Sequence, residues 1–169
     1  RYEIEAAFSQ GLPNTPMAGA TVRVISGNFI TARPVGIIDG VDYQHSGLVR
    51  KVDVPGIMRT LDMGALVLLS PFGFSPTGEA FNLSMEEVAT SVAIALKADK
   101  LLFLTEVPGI RMRPHEPASE DNPVDTELPL AQAVQILADS PRGLEPTDTA
   151  FYLQHCVKAC KGGVERSHI

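Results

Sequence analysis

Apolar positions follow two different periods along the chain, and the change is sharpest between residues 81 and 104, FNLSMEEVATSVAIALKADKLLFL. Val88, Ala89, Val92, Ala93 and Leu96 recur at three- and four-residue spacing, which predicts a helix with one apolar face. Ser84 and Glu87 precede that face three residues apart, the pattern of a capping box in which each side chain satisfies a backbone N–H at the helix start. After Ala98-Asp99-Lys100 the period disappears and Leu101 to Leu104 are all apolar, as expected of a parallel strand covered on both faces. Residues 65–70, ALVLLS, are a second such run. Two buried strands with a helix between them predict a right-handed βαβ crossover. Ligands of open parallel sheets sit at the carboxyl ends of the strands, here residues 70–78 and 105–109.

The remaining elements follow from punctuation. Residues 1–10 read as the end of a helix with Ile4, Ala7 and Phe8 at helical spacing and Gly11 as its stop, and residues 12–19 as a Pro/Asn/Gly turn. Residues 21–25 and 28–33 read as two strands joined in a hairpin at Ser26-Gly27. Residues 34–47 are polar, and His45 within them reads as a surface loop histidine. Residues 48–53 alternate like an edge strand, and a helix over 55–62 starts at Pro55 and stops at Gly64. Residues 71–78, with two prolines and two glycines, read as a loop.

Residues 111–127 carry Glu116, Glu120, Asp121, Asp125 and Glu127 with little apolar content, so they are expected to form a mobile surface excursion whose charges serve solvation. Leu130, Ala133, Val134 and Leu137 mark a short helix, 139–148 a loop, 149–161 a last helix closed by Gly162-Gly163, and 164–169 a final strand.

Composition narrows the class. The 169 residues are 44% hydrophobic, enough to bury one core, and are read as one domain or a lobe of one. Twenty acidic against fourteen basic residues give a net charge of -6, which argues against nucleic acid or an anionic membrane as partner. No stretch has the length of a membrane span or the form of a signal peptide, so a cytoplasmic protein is expected. Because the chain begins inside an element without an initiator Met, it is expected to be part of a longer polypeptide. Cys156 and Cys160 lie four apart in a helical pattern, which suits packing better than a disulfide framework, and even with His155 and His168 nearby no metal site is expected.

Chemistry is sparse. The chain has no G-x-x-x-x-G-K-[ST] phosphate loop, no G-x-G-x-x-G fingerprint, no H-E-x-x-H and no G-x-S-x-G. Glu86 and Glu87 stand in the first turn of the central helix, where the helix dipole favours a carboxylate; Glu87 belongs to the capping box, and Glu86 either faces the strand ends or simply complements the dipole. The residue patterns therefore reach an α/β domain with a small-ligand cleft.

Four segments carry more. GNFITARPVGIIDGVDYQHSGLVRKVD, SPFGFSPTGEAFNLSMEEVATSVAIALKADK, FLTEVPGI and HCVKACKGGVERSHI together resemble the bacterial N-acetylglutamate synthases, in their amino-acid-kinase-like domain, a relative of acetylglutamate kinase. The resemblance covers essentially the whole chain in order. It implies an acetylglutamate-kinase-like fold, a three-layer αβα sandwich on a mainly parallel sheet, of which residues 1–169 are the later part. The earlier part of the domain and the C-terminal acetyltransferase module would lie outside this chain. It also implies an enzyme that transfers acetyl from acetyl-CoA to L-glutamate in the first step of L-arginine biosynthesis, and that assembles as a homo-oligomer. This chain alone should not catalyse that reaction and should bind no cofactor, acetyl-CoA being the cosubstrate of the other module.

Residue by residue, the resemblance implies a vestigial pocket and a partial effector site. Acetylglutamate kinases use a lysine of the last helix and an aspartate at the start of the central helix to hold the transferring phosphoryl group. The matching positions here are Tyr152 and Glu86. Tyrosine cannot supply that cation, and Lys158 and Lys161 lie too far along the helix to replace it. Thr105 and Glu106 match the nucleotide-side turn, and Asn82 matches a residue contacting the amino-acid substrate, unless it only braces the turn before Ser84. His168 matches the histidine of a V-x-R-x-H pattern that lines the arginine site of inhibited members, although the acidic residue expected shortly after it would lie beyond Ile169; a strand-end histidine satisfied by backbone is the plainer reading. The implied function is a kinase-inactive, arginine-sensing assembly domain. The alternatives are an acetylglutamate kinase, which phosphorylates N-acetylglutamate with ATP, or a binding module of this fold with another specificity.

Overall fold

The computed structural model describes residues 1–10, 14–16, 18–106, 109–111, 119, 123–139 and 149–169. They form two compact units, residues 1–85 and 86–169, each with α/β structure.

In the first unit, helix α1 (Tyr2–Ser9) buries no residue. Ile4 and Phe8, the large apolar residues read at helical spacing, are exposed, and the expected stop at Gly11 lies outside the described residues. The helix is tied instead by polar contacts: Ser26 Oγ donates to Glu5 Oε1 at 3.0 Å and Arg1 Nε donates to the same oxygen at 2.9 Å, holding the Glu5 carboxyl below its ordinary range. Strand β1 (Val24–Ile25) is followed by β2 (Ile30–Pro34), but the two do not form the expected hairpin. β1 pairs in parallel with β6 (Leu66–Val67), extended by Leu66 N to Arg23 O and Leu68 N to Ile25 O, both 2.8 Å. β2 pairs antiparallel with β5 (Gly47–Val52) and parallel with β7 (Phe72–Phe74). The local turn signal at Ser26-Gly27 is outweighed by partners distant in sequence.

Two hairpins appear where loops were expected. β3 (Ile37–Ile38) and β4 (Val41–Asp42) turn at Asp39-Gly40, whose φ angles of 50° and 81° give the left-handed pair that a tight hairpin turn requires. β7 turns back to β8 (Ala80–Asn82), completing the sheet order β5-β2-β7-β8. β5 is at its edge, as its alternation predicts. Helix α2 (Val54–Asp62) follows its sequence signals closely. Asp53 caps it by accepting from Gly56 N at 3.2 Å, Pro55 is in its first turn, and Gly64 leaves it at φ 71°. Ile30, Ala32, Ile57, Ala65, Phe81 and Leu83 are buried in this unit.

The second unit holds α3 (Met85–Leu96) apart from its first residue, β9 (Lys100–Leu102), α4 (Leu130–Asp139), α5 (Thr149–Lys161) and β10 (Arg166–His168). β10 pairs in parallel with β9, with Ser167 opposite Leu101. The strand after α3 thus takes its parallel partner from the end of the chain, while the Ala65 run pairs with β1, so the expected crossover between residues 65 and 104 is not formed by those two strands. Nor is the Leu101–Leu104 run covered on both faces. Leu101 and Phe103 are buried, while Leu102 and Leu104 are 58% and 93% exposed, because side chains alternate across the strand and the helices cover one face.

Two apolar clusters build this unit. Ala93, Leu101, Phe103, Cys156, Ala159 and Val164 form one, and Ala133, Ile136, Leu153 and Val157 the other. Residues 112–118 and 120–122, most of the expected acidic excursion, lie outside the described residues, as do residues 140–148 of the expected loop before α5.

Candidate functional site

Helix α5 supplies residues to both clusters, and its spacing explains why. Tyr152, His155 and Ala159 recur at three and four residues and turn toward α3 and β9, while Leu153, Cys156, Val157 and Cys160 form the adjoining stripe.

On the first stripe, Tyr152 rests on Phe103 with ring centroids 5.8 Å apart and on Phe151 at 5.5 Å. His155 adds edge contacts to Phe103 at 6.3 Å and Phe151 at 5.1 Å. Its Nδ1 lies 3.3 Å from Oγ1 of Thr90, a fully buried threonine in the middle of α3. Burial pushes the His155 imidazole down from its ordinary value, Glu86 opposes that and Lys158 adds to it. The two residues matched to phosphoryl-holding positions are thus both at this cluster, Tyr152 through its ring and Glu86 through its charge on His155. All five lysines, at positions 51, 97, 100, 158 and 161, are exposed, and of these only Lys158 is near enough for its charge to act on His155.

The second stripe faces a cavity of about 710 Å³, within the size range of small-ligand sites. Leu153, Cys156 and Cys160 of α5 wall it on one side, Leu128 and Ala133 on another, and Glu165, Ser167 and His168 on a third. Asp125, Glu127 and Glu165 place three carboxylates around it against Arg166 and His168, so the lining favours a cationic ligand over a phosphate. Its apolar side suits methylene groups, and its carboxylates suit a charged head.

The cysteines belong to this wall. Cys156 is buried, its thiol pushed up to about 12, chiefly by desolvation, and Cys160 Sγ is 3.4 Å from Ser167 Oγ. Both thiols are free, and among the described residues no group of three or more His, Cys, Asp or Glu is placed to hold a metal ion.

The other residues singled out in the sequence are more scattered. Asn82 is exposed on β8 in the first unit, where its backbone N–H donates to His45 O at 2.8 Å, and His45 is itself exposed. Thr105 and Glu106 follow β9, the former half-buried and the latter exposed, and residues 107 and 108 of the expected turn lie outside the described ones. His168 is exposed at the end of β10 and lines the cavity. Sequence reasoning missed the cavity itself, the Thr90–His155 contact and Asp125, which it grouped with solvated charge. No spacing rule marks residues brought together by three separate elements.

Among the described residues, no helix is long and apolar enough to cross a membrane. The profile of the Amino acid kinase family matches residues 3–169. The chain is 58% identical over all 169 residues to an amino-acid acetyltransferase of Ralstonia nicotianae and 49% identical to one of Aeromonas salmonicida, of which it spans 35% and 37%. It thus spans little more than a third of the length of these relatives. The crystal structure of N-acetylglutamate synthase from Neisseria gonorrhoeae complexed with coenzyme A and L-arginine superposes at a TM-score of 0.83, with 34% identity over 99% of this chain and 36% of that one. The same synthase complexed with coenzyme A and N-acetylglutamate gives 0.76, at 36% identity over 89% of this chain and 33% of that one. With its fold, its matched length and its relatives in agreement, the chain belongs to the amino acid kinase family.

Proposed function

We propose that the chain is the later part of the amino-acid-kinase-like domain of an N-acetylglutamate synthase, a cytoplasmic homo-oligomer whose separate module transfers acetyl from acetyl-CoA to L-glutamate at the start of L-arginine biosynthesis. In this reading the domain is inactive as a kinase and serves as an L-arginine sensor and assembly scaffold. The observation that carries it is the seat of Tyr152 among Phe103, Phe151 and His155, at the position matched to the kinases' lysine. Phosphoryl transfer spreads negative charge over the equatorial oxygens and needs fixed cations to offset it. A phenol packed on aromatic rings offers none. Glu86, Asn82, Thr105 and Glu106 are then remnants of a substrate and nucleotide pocket.

The carboxylate-lined cavity beside His168 supports the sensor role, because a guanidinium is recognised by carboxylates and carbonyls in a planar fork. The L-arginine complex of the Neisseria synthase, similar over almost the whole chain, supports it further. Calorimetric titration of the full-length protein with L-arginine tests the reading. Saturable binding that weakens in His168→Ala is expected, and no binding by the wild type would reject it.

A further inference from the structure

The cavity beside His168 contains a side chain that the fold leaves unsatisfied. Asp125 lines it, and its Oδ2 is buried without a hydrogen-bond partner among the described residues. Buried carboxylate oxygens are normally paired, so an orphan at a cavity wall calls for an explanation. The backbone around it is fixed: Asp125 N donates to Ile110 O at 2.8 Å, and Arg111 pairs with Val124 in an antiparallel bridge. The main chain that carries the carboxylate is thus fixed by hydrogen bonds, and its Oδ2 is buried, outside the solvated role that its acidic neighbours suggest.

We infer that Asp125 is the specificity-determining residue of this cavity, the carboxylate that reads the guanidinium of the bound amino acid and distinguishes it from a neutral head of the same shape. The inference rests on the L-arginine reading above and adds the residue that enforces it. Leu153, Cys156 and Cys160 would receive the methylene stem, leaving the head to reach the Asp125 side of the cavity. A planar guanidinium donates paired N–H groups to a carboxylate; a ureido head has the same shape without the charge.

L-arginine and its neutral isostere L-citrulline therefore separate the possibilities in the full-length protein. The wild type should bind arginine more tightly than citrulline by about tenfold to a hundredfold, and Asp125→Asn should collapse that ratio toward one, mostly by weakening arginine. A purely structural carboxylate, for example one that only steadies Arg111, would lower both affinities together and leave the ratio unchanged, which overturns the assignment. If Asp125→Asn does not fold, Asp125→Ser decides instead: a ratio that falls toward one supports the assignment and an unchanged one overturns it. Absence of arginine binding by the wild type would reject the sensor reading itself, a result distinct from an unchanged ratio.

Discussion

Tyr152 on α5 leans on Phe103 just beyond β9, the two rings 5.8 Å apart and inclined at 53°. The contact ties the last helix to the strand, at the residue that the family resemblance matches to the kinases' phosphoryl-holding lysine. An aromatic pair contributes about 0.5–1.5 kcal/mol beyond the area it buries. Tyr152→Lys should therefore destabilise the unit by about 1–3 kcal/mol, lowering the thermal midpoint by several degrees, without creating phosphoryl transfer. An unchanged midpoint would show that the aromatic contact does not hold the helix to the strand.

His155 makes acid stability a second test. Burial lowers its imidazole pKa, so near and below the ordinary histidine value of about 6.5 the folded chain holds fewer protons than the unfolded one. The stability this contributes is complete above that value and is lost as pH falls through the lowered one. Glu86 and Thr90 of α3, Lys158 of α5 and the rings of Phe103 and Phe151 are the groups around it. Melting of the wild type should fall between pH 7.5 and 5, and His155→Gln should reduce that slope. Parallel wild-type and variant curves would exclude His155 as its source.

In the first unit, Gly47 of β5 lies against Phe81 of β8, from the two strands that end the sheet order. A Cβ there would stand 2.6 Å from Phe81 Cβ and 3.0 Å from Arg33 O, and neither the buried ring nor the strand backbone can move aside cheaply. Gly47→Ala should cost about 1–3 kcal/mol, read as a shift of the urea midpoint. A neutral substitution would mean that β5 and Phe81 are packed more loosely.

Cys156 offers a chemical test of the cavity wall. With its thiol pushed up to about 12 and its sulfur buried, it has little thiolate at pH 8. Mass spectrometry after iodoacetamide treatment of the native protein should find Cys156 unmodified, and treatment after unfolding should modify it. Rapid native labelling of Cys156 would contradict this packing.

Punctuation in the sequence located α2, α5 and β10, because Pro55, Gly64 and Gly162-Gly163 act on their own segments, and apolar spacing located α4. Pairing was not legible in the same way. The Ser26-Gly27 turn suggested a hairpin, yet β1 finds β6 some forty residues later and β9 finds β10 beyond two further helices. Those choices depend on which faces the helices cover, which no local signal records. The Asp39-Gly40 turn, flanked by Ile37-Ile38 and Val41, carries a hairpin signal that reading residues 34–47 as a polar segment overlooks. At the candidate site, family resemblance supplied His168 and Tyr152. Asp125 was hidden in an acidic stretch, where composition and function predict the same residue.

The most direct measurement places the full-length protein in one mixture of L-glutamate, acetyl-CoA, N-acetylglutamate and ATP and follows its products by mass spectrometry. Acetylation of glutamate without any acetylglutamyl phosphate is the result expected if, as proposed, Tyr152 stands where the kinases hold their lysine. Steady ATP-dependent formation of acetylglutamyl phosphate would contradict it.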